Sequence, residues 1–346
     1  MHSFQPKKIY YTADALNEVG KKILQRFSDA ETEPIKQHNR LPDLSEVGHF
    51  KVKSDVLVLG KLKTLTFREN GRSADYIAPS LANGCTGGCT YCYVDRHKQV
   101  NPITFFTNTD EIIAAIDKHV YSLVWPKKPL QTDPEYYIYD LGCNSDLSVD
   151  ATISEAILKV FDFFRQHPRA KGSFATKFVN PGLLSYDPQR KVRIRFSLMP
   201  PSVNKAVDIR TDDIEERLLA INQFYEAGYE VHVNFSPVIV YGGKQWRQDY
   251  RQLFEQLNEI VKPEVKAQMK CEVIFLTHNR GQHEANLDIN PKGEQLLWQP
   301  AWQEDKRSHM GGHNIRYRHD LKAEMIKIFR KIHAETIPWC KIRYIF

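Results

Sequence analysis

From about residue 75, the sequence alternates between segments of strand character and segments of helical periodicity, and this alternation limits the possible folds. The predicted strands are 75–83, 136–143, 172–179, 191–199, 229–240 and 271–278, and the predicted helices are 108–124, 151–167, 212–227 and 246–262. Such alternation favours a parallel sheet. Six strands predict an α/β fold of the partial (β/α)6 TIM-type barrel kind, whose working face lies at the carboxyl ends of the strands.

The first part of the chain has a different pattern. Residues 1–70 are expected to form a small N-terminal αβ extension, and residues 71–346 are expected to form the barrel with a C-terminal substrate-facing segment. The elements expected outside the six barrel strands are a helix near 13–28, strands at 56–59 and 65–67, a loop at 30–50, a helix at 319–335 and a strand at 341–346.

Apolar stripes support two of the helices. Ile153, Ile157, Val160 and Phe164 recur at helical spacing, as do Ile214, Leu218, Ile221 and Tyr225. Asp212 and Glu215 resemble a capping box at the start of the second helix. These stripes indicate core packing.

A loop rich in cysteine and glycine follows the first barrel strand. Residues 84–93 read Gly-Cys-Thr-Gly-Gly-Cys-Thr-Tyr-Cys-Tyr, so Cys85, Cys89 and Cys92 are separated by three and then two residues. Three thiolates within eight residues can bind one metal centre, and the glycines permit the positive φ values that such a wrap requires. If the centre is a 4Fe-4S cluster, three irons are held by protein and the fourth is open to an outside ligand.

A zinc site is the alternative for this loop. The three cysteines could bind zinc together with His97, which follows Cys92 after four residues. The glycines and the aromatic residue before the third cysteine favour the cluster, and the chain has no second cysteine pair for a zinc ribbon or finger.

Composition restricts the setting in which the chain works. The chain has 48 basic and 42 acidic residues, and its net charge of +6 permits a nucleic-acid partner without demonstrating one. Three of the six cysteines lie in one loop, which indicates a reducing compartment. We see neither a signal peptide nor an apolar run of about 20 residues, so we expect a cytoplasmic protein with no membrane partner.

The cysteine loop and four further motifs resemble the spore photoproduct lyase family within the radical S-adenosylmethionine (SAM) superfamily. The resemblance runs over nearly the whole chain, at about the spacings of that family. The four further motifs are Gly-Cys-Asn-Ser-Asp at 142–146, Ala-Thr-Lys-Phe at 175–178, Arg-Phe-Ser at 195–197 and Ser-Pro-Val-Ile at 236–239.

The resemblance implies cofactors and roles for individual residues. Cys85, Cys89 and Cys92 would ligate a 4Fe-4S cluster, and SAM would bind the open iron and be cleaved to a 5′-deoxyadenosyl radical. Cys143 would return a hydrogen atom to the thymine radical after the dimer splits. The residues that match SAM contacts are Ser145, Lys177, Ser197 and Ser236, and those that match a tyrosine pair for radical transfer are Tyr91 and Tyr93.

The resemblance also implies partners. These are DNA that carries a thymine dimer lesion and an electron donor such as flavodoxin or ferredoxin, and we expect the chain to be a monomer. Without the resemblance, Cys143 and Lys177 would be read as a buried small residue and a salt-bridged lysine. Cys271 and Cys340 match no motif and are assigned to the core.

A basic stretch near the C-terminus is the candidate for DNA contacts. Its basic and aromatic residues could neutralise phosphates, although a solvated surface explains them nearly as well. Residues 308–314 read Ser-His-Met-Gly-Gly-His-Asn where the family is expected to have a tyrosine-rich segment. Two alternatives therefore stay open, namely a radical SAM enzyme for another nucleic-acid lesion or modified nucleotide, and a non-catalytic metal-bearing nucleic-acid-binding module. The residues of the stretch are Lys306, Arg307, His309, His313, Arg316, Tyr317 and Arg318.

Overall fold

The structure, a computed structural model, describes residues 4–44, 46–92, 94, 101–307 and 313–346. Helices and strands alternate along most of this part of the chain. The strands are β1 Lys8–Tyr11, β2 Glu31–Pro34, β3 Val56–Gly60, β4 Arg68–Glu69, β5 Tyr76–Ile77, β6 Ala82–Asn83, β7 Gly88–Cys89, β8 Ile103–Phe106, β9 Tyr137–Asp140, β10 Ala170–Thr176, β11 Val192–Ser197, β12 Asp208–Ile209, β13 Glu230–Val238, β14 Lys270–Phe275, β15 Thr277–His278, β16 Gln303–Arg307, β17 His313–Tyr317 and β18 Lys341–Ile345. The helices are α1 Glu18–Arg26, α2 His49–Asp55, α3 Thr109–Ser122, α4 Leu147–Ile153, α5 Ala156–Gln166, α6 Pro201–Val207, α7 Ile214–Glu226, α8 Gln245–Ile260, α9 Pro263–Gln268, α10 Arg280–Ile289, α11 Pro291–Leu297 and α12 His319–Thr336.

The chain divides into two compact units. The first contains the described residues of Met1–Thr86, His97–Arg195 and Phe224–Glu230, and the second contains the rest. The predicted N-terminal extension is therefore part of a larger unit, and the boundary near residue 70 stays a prediction.

The first unit contains a five-stranded sheet in the order β2-β1-β3-β8-β6. β3 is parallel to both β1 and β8, and all five of its residues are buried. A run of Val and Leu suits this position, because a central parallel strand is covered on both faces. The same unit contains a ladder in the order β11-β10-β9-β5-β4, in which β9 runs parallel to β10 and to β5.

The second unit contains a ladder in the order β11-β13-β14-β18. β11 is divided between the units, and only its residues 196–197 belong to the second. β14 runs parallel to β13 and to β18. Two smaller sheets complete this unit, a β7-β12 pair and a three-stranded sheet in the order β15-β17-β16.

The α/β class and most of the predicted elements are confirmed, with corrections where polar residues or proline intervene. Ile153, Ile157, Val160 and Phe164 are all fully buried, as the stripe predicts. The predicted strand 75–83 is divided at Pro79 into β5 and β6, which belong to different sheets. The predicted helix 151–167 corresponds to two helices, because α4 ends at Ser154.

Other predictions were wrong in detail. The expected loop at 30–50 contains the edge strand β2 and the start of α2, and none of α10, α11, β16 and β17 was predicted from the sequence. The capping box at α7 is displaced by one residue, since the Glu216 carboxylate accepts from the backbone N–H of Asp213 at 3.0 Å.

Among the described residues, no helix has both the length and the apolar character required to cross a membrane.

Candidate active site

The start of the cysteine loop lies beside the turn that carries Cys143, and both belong to the first unit. The N–H of Gly84 donates to the carbonyl oxygen of Asn144 at 2.8 Å, and Gly84 forms a parallel bridge with Ser145. Gly84 has a φ of +85°, and a Cβ there would lie 3.2 Å from the carbonyl oxygen of Pro102, so glycine is required. Residues 60 positions apart in sequence are thereby brought together.

The cysteines on either side of this bridge are both half-buried. Cys85 follows Gly84 directly, and its carbonyl oxygen accepts from the Nζ atom of Lys53 at 3.4 Å. Cys143 lies in a turn three residues beyond β9, rather than at the end of the strand as predicted. The contact from Lys53 has no local sequence signal, since this lysine belongs to α2, in the N-terminal part of the chain.

Asp146 connects the Cys143 turn to the end of β10. Its carboxylate caps α4 by accepting from the N–H of Ser148 at 3.0 Å, and it also accepts from the N–H of Lys177 at 3.0 Å and the hydroxyl of Thr176 at 2.7 Å. Because β9 and β10 are parallel, Ser145 and Lys177 lie at the same edge of the ladder. Sequence reasoning did not assign a role to Asp146, although an aspartate just before a helix is a capping signal.

The hydroxyl of Ser145 donates to Oδ2 of Asp150 at 2.6 Å. Asp150 is fully buried, and burial raises the pKa of its carboxyl well above the usual range, while the hydrogen bond from Ser145 opposes the shift. The Asp150 contact fixes the Ser145 hydroxyl, so the position predicted to bind SAM is orientated by a buried group.

In the second unit, the end of the cysteine loop pairs with β12. Cys89 is in register with Asp208, and the N–H of Cys92 donates to the carbonyl oxygen of Cys89 at 2.9 Å, which closes a turn around Thr90 and Tyr91. The hydroxyl of Tyr91 donates to the carboxylate of Asp208. Removal from solvent, followed by the charge of Asp208, raises the pKa of the Tyr91 phenol well above its usual range.

Arg217 holds Asp208 from the other side. Its guanidinium lies 3.5 Å from Oδ2 of Asp208 and donates to the carbonyl oxygen of Ser197 at 2.8 Å and the hydroxyl of Thr211 at 2.6 Å. Both charged side chains are 0% exposed. One buried arginine thus connects the carboxyl end of β11 with the segment that supports Tyr91.

Thr90 is fixed by a second polar network in the same unit. Its carbonyl oxygen accepts from the amide of Asn286 at 2.8 Å, and its hydroxyl accepts from the amide of Asn290 at 2.8 Å. Asn286 also donates to Glu294, whose carboxylate contacts Nε2 of His278 at 2.9 Å. These residues come from α10, α11 and β15, about 200 positions after the loop, and local patterns did not indicate them.

The two residues of this unit that are predicted to contact SAM lie on neighbouring strands. Ser197 ends β11 and is buried, and Ser236 is a half-buried residue near the end of β13, where the register with β14 shifts. The N–H of Leu198 donates to the carbonyl oxygen of Asn234 at 2.9 Å, so the two strand ends are adjacent.

Most of the candidate DNA-binding residues that the structure describes lie on β16 and β17, and Arg318 directly follows β17. Arg307 and His313 are exposed, and Nδ1 of His313 lies 2.8 Å from Oδ1 of Asp305. Arg316 is half-buried. Tyr317 is 2% exposed and its hydroxyl accepts from the N–H of Val240 at 2.9 Å, which argues against direct contact of Tyr317 with DNA.

Three sequence-based assignments concern residues outside the described part of the chain. These are the radical-transfer role of Tyr93, the zinc ligand His97 and the DNA contact His309.

Comparison with known proteins gives one consistent family. The model of the family described as spore photoproduct lyase matches residues 4–346. The chain is 27% identical over 279 residues to spore photoproduct lyase of Bacillus subtilis (strain 168), covering 78% of each chain. It is 28% identical over 263 residues to spore photoproduct lyase of Geobacillus sp. (strain Y412MC61), covering 74% of each.

Solved structures show the same fold. A doubly substituted spore photoproduct lyase with bound AdoMet and dinucleoside spore photoproduct has a TM-score of 0.89, with 23% identity and 100% coverage of both chains. Another, complexed with dinucleoside spore photoproduct, has a TM-score of 0.88 at the same identity and coverage. This likeness confirms the predicted partial TIM-type barrel. The family model, which accounts for all but the first three residues, shows that the chain belongs to the spore photoproduct lyase family.

Proposed function

We propose that this chain is a radical SAM lyase that converts the spore photoproduct in DNA back to two thymines. The observation that carries the proposal is the pairing of Gly84 with Asn144 and Ser145. This pairing brings the first cysteine of the predicted cluster loop beside the turn of Cys143, the predicted hydrogen donor. Relatives described as spore photoproduct lyases support the substrate class.

The residues of the loop fit a 4Fe-4S cluster with SAM at its open iron. Cys85, Cys89 and Cys92 are half-buried, so part of each side chain is accessible to a cluster. When bound, the cluster and SAM together supply a 5′-deoxyadenosyl radical that abstracts a hydrogen atom from the lesion. Ser145, Lys177, Ser197 and Ser236 would bind SAM, and the Lys177 ammonium suits its carboxylate.

Cys143 would end the reaction by hydrogen transfer. The substrate radical that remains after the bridging carbon–carbon bond breaks would take the hydrogen atom of the Cys143 S–H bond, which leaves a sulfur radical on the chain. An S–H bond is weak enough for this transfer, whereas a serine O–H bond holds its hydrogen more strongly. The half-buried position of Cys143 permits contact with a substrate.

Tyr91, together with Tyr93, would then supply the electron that converts the sulfur radical of Cys143 to a thiolate, which takes up a proton from solvent, and the radical passes to the tyrosine. Its raised pKa keeps the phenol protonated, so oxidation of Tyr91 requires that a proton leaves with the electron. The hydroxyl already donates to Asp208, whose carboxylate can receive that proton. Asp208 is thus a positioning and proton-accepting partner in the proposed route.

The DNA would bind along the β16-β17 hairpin, and the lesion would turn out of the duplex to reach the active site. Lys306 and Arg307 are exposed and can neutralise phosphates. A flavodoxin or ferredoxin would supply the electron, and we place the protein in the cytoplasm as a monomer.

An anaerobic turnover assay tests the proposal. Reconstituted protein, reductant, SAM and a spore photoproduct dinucleotide are incubated with wild type, Cys143→Ala and the conservative variant Cys143→Ser. We expect about four irons per chain in all three, thymine return by wild type alone, and stalled or adduct-bearing products from both variants. Stoichiometric zinc in the loop without iron would refute the cluster, and clean thymine return by Cys143→Ala would refute the hydrogen donor.

The sequence at 308–314 supports a second candidate, a radical SAM enzyme for another nucleic-acid lesion or modified nucleotide. It lacks the tyrosine-rich segment expected of the family. SAM cleavage without thymine return, combined with turnover of a different lesion, would favour this candidate. DNA binding without any SAM cleavage would instead indicate a non-catalytic module.

A further inference from the structure

Three buried side chains with soft or borderline metal-binding atoms converge in the second unit, apart from the cysteine loop. Cys271 lies near the start of β14, His333 lies in the last turn of α12, and Cys340 immediately precedes β18. They are 0%, 6% and 0% exposed. Their ligand atoms all lie within 4.8 Å of one another.

The fold fixes this cluster through backbone contacts. β14 and β18 are parallel, with Lys270 opposite Lys341, so Cys271 and Cys340 lie at the same edge of the ladder. The N–H of Ile337 donates to the carbonyl oxygen of His333 at 2.9 Å, and the N–H of Cys340 donates to that of Ile337 at 3.0 Å. The chain from the helix to the strand is therefore held by two successive turns.

The side chains are fixed as well. The Cys271 thiol lies 3.8 Å from the carbonyl oxygen of Cys340, within range of a sulfur hydrogen bond, and the His333 ring packs edge-on against Phe254 at a centroid distance of 5.9 Å. This edge of the ladder is the amino end of the strands. It is opposite to the carboxyl end at which Ser197 and Ser236 lie.

The distance between donors matches a zinc site. Tetrahedral zinc, with a Zn–S bond of about 2.3 Å and a Zn–N bond of about 2.05 Å, holds the sulfur and nitrogen atoms about 3.6 Å apart. Sγ of Cys271 and Nε2 of His333 are 3.6 Å apart. The pair could therefore bind the ion without displacement of the backbone.

The charge balance also favours a divalent ion. Two thiolates neutralise Zn²⁺, and the imidazole adds no charge, so the centre as a whole is neutral. A neutral centre avoids the large desolvation cost that a buried net charge would carry. The protein side chains described here supply three donors, and a water molecule or a carbonyl oxygen would complete the tetrahedron.

We propose that Cys271, His333 and Cys340 form a second metal centre that binds one Zn²⁺ and fastens α12 to β14 and β18. This centre does not depend on the proposed function, because none of its residues belongs to the cysteine loop or to the predicted catalytic set. Zinc binding to the native state alone would also stabilise the fold.

Metal analysis of the full-length holoprotein tests the proposal. Wild type, Cys340→Ser and the matched control Cys143→Ser are treated with a mild chelator, exposed to Zn²⁺ under anaerobic conditions and freed of loose metal by gel filtration. We expect about one zinc per chain in wild type and Cys143→Ser, and less than about a tenth of that in Cys340→Ser, with equal iron in all three. Zinc that is lost equally from both variants, or retained in Cys340→Ser, would overturn the assignment.

Two further measurements keep the test decisive if Cys340→Ser does not fold. His333→Gln removes only the imidazole donor and should lose zinc in the same way. In wild type, added Zn²⁺ should raise the thermal midpoint relative to chelator-treated protein. The metal centre would be excluded if the wild-type holoprotein takes up no zinc. It would also be excluded if the mass of the holoprotein is lower by two hydrogens because Cys271 and Cys340 form a disulfide.

Discussion

The buried pair of Arg217 and Asp208 allows a quantitative prediction about the support of Tyr91. Both side chains are 0% exposed, so neither charge is solvated if its partner is removed. Arg217→Met removes this cation from the Asp208 carboxylate. Loss of one member of a buried ion pair costs about 3–5 kcal/mol of unfolding free energy. Asp208→Asn leaves the guanidinium without its counter-charge and should cost a similar amount.

The double variant distinguishes charge pairing from packing. Arg217→Met/Asp208→Asn has no unpaired buried charge, so its loss should be smaller than the sum of the two single losses by about 2–3 kcal/mol. Equilibrium urea unfolding of the four proteins measures this coupling, provided that the m-value is constant. Single losses that add to within about 0.5 kcal/mol would refute the reasoning.

An exposed pair provides the matched control. Lys22 and Glu18 are 70% and 75% exposed and 2.7 Å apart on α1. The same cycle there should give single losses that add within the error of the measurement, because solvent screens the charges. A coupling at α1 as large as that at Asp208 would show that burial is not the cause.

Four further predictions concern single positions. Asp146→Ala removes the cap of α4 and the acceptor for the Lys177 N–H. Urea unfolding should show that the unfolding free energy falls by about 1–2 kcal/mol, and steady-state kinetics should show a higher KM for SAM. Asp150→Asn should be more stable than wild type at pH 7. The raised pKa of the folded carboxyl makes its ionised form unfavourable in the folded state, so wild type loses stability as the pH rises above the pKa of the unfolded carboxyl. The difference in unfolding free energy between the two proteins should therefore close as the pH falls toward about 4. Burial lowers the pKa of Lys191 to about 8. Between pH 8 and about 10.4 only the unfolded lysine is protonated, so a rise in pH through this range should increase the stability of wild type relative to Lys191→Met. Asn286→Leu removes the donor to the carbonyl oxygen of Thr90, and a chelator should then extract iron faster than from wild type.

The sequence predicted the elements whose own residues carry the signal. The apolar run of β3, the alternation of apolar and polar residues in β11 and β13, and the stripes at α5 and α7 are all visible locally. β2 was missed because three of its four residues are exposed, so no apolar pattern marks this edge strand. Pro79 was the available signal that the strand predicted at 75–83 is in fact two.

Only those residues of the site that belong to sequence motifs could be predicted. Cysteine spacing and the strand-end motifs indicated which residues to expect at the carboxyl ends of strands. Most partners that orientate them could not be found in this way, since Asp208 and Arg217 are ordinary charged residues in sequence and gain their roles from contacts across the fold, whereas Asp146 had only a helix-capping signal. The same holds for Cys271 and Cys340, which are 69 positions apart and meet only because β14 and β18 pair.

Contacts from outside the cysteine loop hold its backbone before the first cysteine and between the second and third. Before the loop, Gly84 is held by the Asn144 carbonyl. Between the second and third cysteines, Thr90 is held by two asparagine amides and Tyr91 by Asp208. Restraint by these contacts lowers the conformational entropy that the loop loses when a cluster binds, so more of the binding energy of the thiolates is retained as affinity. Substitutions in these supporting residues should therefore weaken cluster retention while the three cysteines themselves are intact.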